Sequence, residues 1–471
     1  MKRTLILLLG LVLTLGLNAK IKYVFYFIGD GMGTNQVLAA EMYRAELQGG
    51  IGRVPTCMSQ LAVSGQISTY SASNGITDSS AAGTCLATGR KTNNGMLGIG
   101  PKGDTLTTIA ETLKQQGWGI GIMTSVAIDH ATPGAFYGHD EKRSHYYEIG
   151  QQLIRSGFDF FGGAGFHYPQ GKHDDKAENL YDLAEHAGYT IVRSYDEAQR
   201  HMRADRMIMV QPGDTGMVHS DCIGYAMDRH TENATLKQIV STAIPFLEKK
   251  YDRFFMMVEG GMIDYACHGD DGRAAIDEVW AMDEALEVAY RFYLRHPDET
   301  LIVVTADHET GGMALGNSDY TLNLQLLQYQ QCSAWVLSDR FTALFKDATP
   351  TWEQAKQVWQ ESLGFWDQVE MSEDEEAELR AAYDQAVRHE STDEKTMYKD
   401  INRLGDLGIS ILNRKAKVGW TSRAHTAHAV PVFASGVGAE LFTGWHDNSQ
   451  VAPLILQAIR QADAKPRKSR R

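Results

Sequence analysis

The chain has 471 residues, of which 43% are hydrophobic and 22% charged; this balance excludes disorder and favours one large domain with insertions over several small ones. A formal net charge of −14 disfavours nucleic acid as a ligand and makes any anion-binding site a local positive feature, of the kind metal ions supply. The five cysteines, Cys57, Cys85, Cys222, Cys267 and Cys332, are odd in number and widely spaced, so they form no zinc ribbon or dense disulfide framework and allow at most two disulfides, neither assignable.

In chain order, Lys2 and Arg3 precede an apolar run from Leu5 to Leu17 that ends at the small residue Ala19. This reads as a cleaved signal peptide over 1–19, because the run is short of the roughly 20 residues a spanning helix needs. No later segment reaches that length, and no cysteine near the run's end offers a site for a lipid, so a soluble exported protein is expected. Short β-rich apolar runs follow at Tyr23–Ile28, Gly119–Thr124, Phe254–Val258 and Leu301–Ala306, each succeeded at once by polar residues. They read as buried parallel strands. A helical stripe at Leu106, Ile109, Ala110 and Leu113, closed by Gly117, lies between two of them. Strand and helix alternate, which predicts an α/β fold with a parallel sheet whose ligand lies at the carboxyl ends of the strands.

From about 317 to 420 the chain is rich in Gln, Glu, Trp and Tyr without a clear buried strand, which predicts a mostly helical insertion. Ser372 and Glu375 form a capping box there, and the acidic stretch Glu373–Glu378 reads as a solvated helix start. The basic tail from Lys465 to Arg471 reads as a solvated end.

The residues just past the strands carry the chemistry. Asp30 sits among Gly29, Gly31 and Gly33, a tight turn that by itself reads equally as only a turn. Asp307, His308 and Glu309 follow the last strand, and Glu259, Asp264 and His268 follow the one before it. Carboxylates gathered at buried strand ends repel one another unless cations neutralise them, so a multinuclear metal site is the economical reading. An oxygen nucleophile is available in Thr77, Asp78, Ser79, Ser80, Ala81, Ala82, Gly83, Thr84. Serines before a helix are commonly plain N-caps, but a helix N-terminus also favours a phosphate.

These clusters, in this order and spacing, resemble the alkaline phosphatase family over most of the chain after residue 19. The resemblance implies a three-layer sandwich with a mostly parallel central sheet flanked by helices, plus a mostly helical, crown-like insertion. It implies Ser79 as the attacking residue, with Ser80 where the family commonly has Ala. It implies one zinc on Asp264, His268 and His425, a second on Asp30, Asp307, His308 and Ser79, and a magnesium on Asp30, Thr132 and Glu259. Arg143 matches the phosphate-binding arginine, and His130 stands near the phosphate pocket at a position where members carry Asp or His. His425 is preferred over the nearby His428, and Tyr265 follows Asp264 where other members place a different polar or aromatic residue. His139 resembles at best a residue supporting a ligand, or else a structural histidine.

The activity so implied is hydrolysis of phosphate monoesters through a phosphoserine, by an exported homodimer. The rival readings are a phosphodiesterase or nucleotide pyrophosphatase of the same superfamily, a phosphomutase relative, and a binding protein that has lost catalysis. Thr132, Glu259 and Arg143 argue against the diesterase, export argues against the mutase, and an intact Ser79 argues against the binding protein.

Overall fold

The computed structural model describes residues 20–171, 177–211, 222–228, 233–317 and 319–464. The expected signal segment 1–19 and the basic tail 465–471 lie outside the described residues.

Ten strands form the central sheet: β1 (Tyr23–Gly29), β2 (Val63–Ser68), β3 (Gly119–Thr124), β4 (Phe160–Gly162), β5 (Tyr189–Val192), β6 (Arg206–Met209), β7 (Phe254–Gly260), β8 (Thr300–Ala306), β9 (Val430–Gly436) and β10 (Gly444–Asp447). Their spatial order is β10-β2-β9-β8-β1-β7-β3-β4-β6-β5. Only β9 runs antiparallel to its neighbours β2 and β8; every other pairing is parallel. The middle strands β1, β3, β7 and β8 are buried along their whole length, as continuous apolar runs covered on both faces must be. Helices Leu236–Glu248 and Gly272–Arg295 pack on this part of the sheet.

The register decides where the site forms. Ile28 of β1 lies opposite both Glu259 of β7 and Thr305 of β8, and Thr124 of β3 also lies opposite Glu259. Four adjacent parallel strands therefore end at one level, and whatever follows them must converge. Glu259, expected just past its strand, lies within it, because β7 continues to Gly260. The helix expected from the Leu106 stripe spans Ile109–Gln115, with Thr108 and Glu111 forming a capping box. Leu106 is buried with the stripe but precedes the cap.

Between 317 and 420 the chain forms helices Ala334–Leu344, Trp352–Leu363, Glu373–Val387 and Arg403–Ala416. Ala314–Leu315 pairs with Val418–Gly419 and ties the two ends of the segment together. The Ser372 and Glu375 capping box is present. The acidic stretch is exposed to half-buried, and Glu375, Glu376 and Glu378 pair there with Lys415, Lys356 and Arg414. None of the five cysteines is in a disulfide, and among the described residues no helix is long and apolar enough to cross a membrane.

Candidate metal centre and nucleophile

Asp30 leaves β1 on a turn that only glycine can complete. Gly31 has φ of 73°, and a Cβ there would stand 2.9 Å from the Asp264 Cα, so the turn and the Asp264 backbone approach as closely as they do because that atom is missing. The Gly31 N–H donates to Asp307 Oδ1 at 3.2 Å. Asp30, Glu259, Asp264, Asp307 and His308 are all fully buried.

As ionised groups Asp30 and Glu259 are short of partners. Neither oxygen of Asp30, nor Oε1 of Glu259, has a hydrogen-bond donor, although both residues are sealed from water. Burial pushes Glu259 up to about 8, and burial together with the charge of Asp264 pushes Asp307 up to about 7. Asp30 is raised well above the carboxylate range by burial first, then by the charges of Asp307, Asp264 and Glu259. Without cations such a cluster persists only by holding protons. Native interiors rarely leave buried acceptors orphaned, so the donor set fits cations.

The histidines make the same point from the nitrogen side. His268 Nδ1 lies 2.6 Å from the Arg423 carbonyl, and His425 Nδ1 lies 2.9 Å from the Thr77 carbonyl. A carbonyl only accepts, so in each neutral ring the proton is assigned to Nδ1 and Nε2 carries a lone pair. The two Nε2 atoms nevertheless face each other at 3.2 Å. Lone pairs converge in this way around a cation. In its absence a proton on His268 serves: burial lowers its pKa, but the charge of Asp264 and a hydrogen bond to it raise it more. Thr310 Oγ1 donates to Asp264 Oδ1, which leaves its oxygen to accept from His308 Nδ1 at 3.2 Å. His308 Nε2 then points at Asp30 Oδ1 (3.3 Å), Asp307 Oδ2 (3.4 Å) and Ser79 Oγ (3.2 Å). Burial, then the neighbouring His425, holds His308 well below its ordinary pKa and therefore neutral.

Three groups of side chains have ligand atoms within 4.8 Å of one another: Asp264, His308 and His425; Asp30, Asp307 and His308; and Asp30, His130 and Glu259. His268 joins the first through Asp264 Oδ2 at 3.3 Å. Thr132 sits beside these groups, with its hydroxyl 3.3 Å from Asp307 Oδ2. His130 is brought to the third group and to the arginine together, because its Nε2 accepts from Arg143 Nη2 at 3.1 Å. Arg143 Nη1 reaches Asp78 Oδ2 at 3.5 Å, so its planar fork lies beside the start of helix Ser79–Thr88.

That helix separates the two serines. Asp78 is the N-cap, accepting from the Ala81 N–H at 3.0 Å, so neither serine is needed as a cap. Ser80 Oγ donates to Asp78 Oδ2 at 2.7 Å, while Ser79 Oγ faces His308. A Cβ on Gly83 would stand 3.1 Å from Ala135, and this small residue lets the helix lie against the Thr132 turn. His425 is buried within the cluster, whereas His428 is exposed and 3.6 Å from Glu309. His139 stands apart, its ring bridging the Gly98 carbonyl and Glu111.

Sequence reasoning did not single out Thr124, Thr310 or Tyr398. Thr124 donates to Glu259 Oε2 and ends β3, so the strand-end rule covers it. Thr310 lies in a two-residue pairing of Glu309–Thr310 with His425–Thr426, which brings His425 to the end of β8 from the far side of the helical segment. The Tyr398 hydroxyl donates to Asp264 Oδ2 at 2.7 Å, and no local sequence signal announces it.

The family model described as alkaline phosphatase matches residues 21–461. Alkaline phosphatase 4 of Bacillus subtilis (strain 168) is 29% identical, covering 94% of this chain and 90% of its own length. Alkaline phosphatase 3 of the same strain is 28% identical with the same coverage. Among solved structures, the cold-active alkaline phosphatase of the psychrophile Shewanella sp. is similar at 27% identity and a TM-score of 0.78, covering 93% of this chain and 99% of that one. The Thermus thermophilus enzyme is similar at 26% identity and the same TM-score, covering 94% and 92%.

Proposed function

Because the chain belongs to the alkaline phosphatase family and is thereby a phosphomonoesterase, we propose that it transfers the phosphoryl group to Ser79 and then to water, with metal ions held by the buried clusters. The observation that carries this reading is Ser79 Oγ, spared from capping and set 3.2 Å from His308 Nε2 among orphaned carboxylates. Asp264, His268 and His425 would hold one zinc, and Asp30, Asp307, His308 and Ser79 a second. This mixture of imidazole and carboxylate suits that ion. Asp30, Glu259 and Thr132 would hold a magnesium through hard oxygens, with His130 alongside. When bound, these ions supply concentrated positive charge and lower the pKa of a coordinated hydroxyl or water.

The chain's own groups do the rest. The positive start of helix Ser79–Thr88 and the Arg143 fork bind the phosphate dianion, and the fork can grip two of its oxygens. His130, kept neutral by burial and then by Arg143, accepts from that fork and fixes its plane. Ser79 Oγ, its proton given up to solvent, attacks phosphorus as the ester P–O bond breaks; the bonding pair leaves on the alcohol oxygen, which takes a proton from solvent. Water then attacks the phosphoserine from the vacated side, the Ser79 O–P bond breaks with its pair on Oγ, which takes up a proton the water gives up, and inorganic phosphate is released. Because the transition state asks for positioning and charge neutralisation, few contacts to the alcohol are required and broad monoester specificity follows. Export by the segment over 1–19 and a homodimer complete the proposal; the first is supported by its charge and apolar pattern, the second by the family resemblance alone.

Release of p-nitrophenol from its phosphate monoester and diester, by wild type and Ser79→Ala, before and after chelation and return of zinc and magnesium, tests the reading. Monoester activity lost on chelation, restored by metal and abolished by Ser79→Ala is expected. Preferential diester cleavage would place the chain on the diesterase branch, and activity in chelated protein would refute the metal dependence.

A further inference from the structure

The helical segment sends one side chain into the metal cluster. Glu394 and Ile401 exchange two backbone hydrogen bonds, Glu394 N–H to the Ile401 carbonyl at 2.8 Å and the reverse at 2.9 Å, so residues 394–401 form a closed loop. Lys399 anchors it to Asp339 on helix Ala334–Leu344 at 2.7 Å, and the Asn402 N–H donates to Ser338 Oγ on the same helix at 2.7 Å. Within this loop Thr396 Oγ1 donates to the Lys399 carbonyl at 2.6 Å and fixes the turn that carries Tyr398.

The Tyr398 ring stacks on Tyr265, centroids 3.5 Å apart and planes within 17°, and lies edge-on to His268 at 5.4 Å. Its hydroxyl donates to Asp264 Oδ2 at 2.7 Å, while Thr310 serves Oδ1. Each oxygen of Asp264 thus has one hydroxyl behind it, and its remaining lone pairs face His268 and His425. A carboxylate held at both oxygens has lost its rotational freedom before any cation arrives, and hydrogen bonds behind a ligand of this kind raise metal affinity.

We propose that Tyr398 is a positioning residue for Asp264, through which the helical segment controls how tightly the Asp264, His268 and His425 group retains its divalent cation. The proposal rests on the metal reading above. It assigns the segment a role at the site within the same chain. The phenol acts as a donor and its ring as the brace that aims it, so the two parts are separable by substitution: Tyr398→Phe keeps the stack on Tyr265 and removes the donor, and Tyr398→Ala removes both.

Zinc-loaded full-length wild type, Tyr398→Phe and Tyr398→Ala are each challenged with a chromogenic zinc chelator, following release kinetics and residual metal content, with urea midpoints of the chelated proteins as a fold control. Tyr398→Phe is expected to release the more labile zinc roughly 10- to 100-fold more readily than wild type, with a chelated protein that still unfolds cooperatively and no earlier than chelated Tyr398→Ala. Its kcat for a monoester falls at saturating phosphate ester, and excess zinc restores it. Zinc retention by Tyr398→Phe equal to wild type overturns the proposal, including the case in which only Tyr398→Ala loses metal, which would make the ring a packing element. Failure of the phosphatase reading is seen separately, as a wild type that binds zinc and hydrolyses no monoester.

Discussion

Chelating the protein and raising the pH from 6.5 to 8 should lower its stability, and the structure gives the size. Glu259 is pushed up to about 8 by burial, from an ordinary 4.5. Its raised folded pKa means that the native state keeps a proton the unfolded chain has released, so stability is present at low pH and is lost as pH rises through the folded value. Each pH unit in that window costs about 1.4 kcal/mol per group. From 6.5 to 8 the loss from Glu259 alone is about 2 kcal/mol. Asp307, pushed up to about 7 by burial and Asp264, adds to it with the same sign. Below 6.5 the carboxylates keep the same sign, but buried His130, His308 and His425, held below their ordinary values chiefly by burial, contribute the opposite one because unfolding lets them protonate, so the two sets offset each other there. The metal-free chain should therefore show its clearest fall from 6.5 toward pH 8. Bound cations replace the retained protons and remove that fall. Urea midpoints of chelated and metal-reconstituted protein across pH 5 to 8 measure both ranges. A chelated midpoint that is flat or rising between 6.5 and 8, or an identical fall in the reconstituted protein, would refute the claim that these carboxylates are arranged for cations.

Three substitutions test the geometry around them. Arg143→Ala removes the fork set between His130 and Asp78 and should lower kcat/KM for p-nitrophenyl phosphate on the order of 100-fold, measured by steady-state kinetics with metal content checked. Ser80→Ala loses one hydrogen bond to Asp78 and should leave kcat within a few-fold of wild type, whereas Ser79→Ala abolishes turnover. Gly31→Ala forces a Cβ onto a φ of 73° and to 2.9 Å from the Asp264 Cα; it should destabilise the protein by about 1–3 kcal/mol and weaken zinc retention, read from the urea midpoint and the metal content.

The central strands β1, β3, β7 and β8 were legible in the sequence because a parallel strand covered on both faces must be apolar throughout. Strand β2, one in from the sheet edge, was not: Val63–Ser68 reads VSGQIS, and only Ile67 in it is buried. The site was legible to the extent that it follows strand ends, as Asp30, Asp307 and His308 do. His425 lies beyond a segment of about a hundred residues, and family resemblance alone pointed to it; its place depends on a two-residue pairing with Glu309–Thr310 too short to leave a pattern. Tyr398 was hidden for a related reason. Its partner Asp264 is 134 residues earlier, and the loop that carries it has no periodicity to report.

Trapping the covalent species tests the central claim most directly. Metal-loaded protein mixed with a monoester, quenched in acid and digested should yield a peptide containing Ser79 that is heavier by one phosphoryl group, with the modification mapped to Ser79 and lost in Ser79→Ala. A phosphoryl group mapped to Ser80 or another residue, or burst-phase alcohol release with no phosphopeptide, would contradict it.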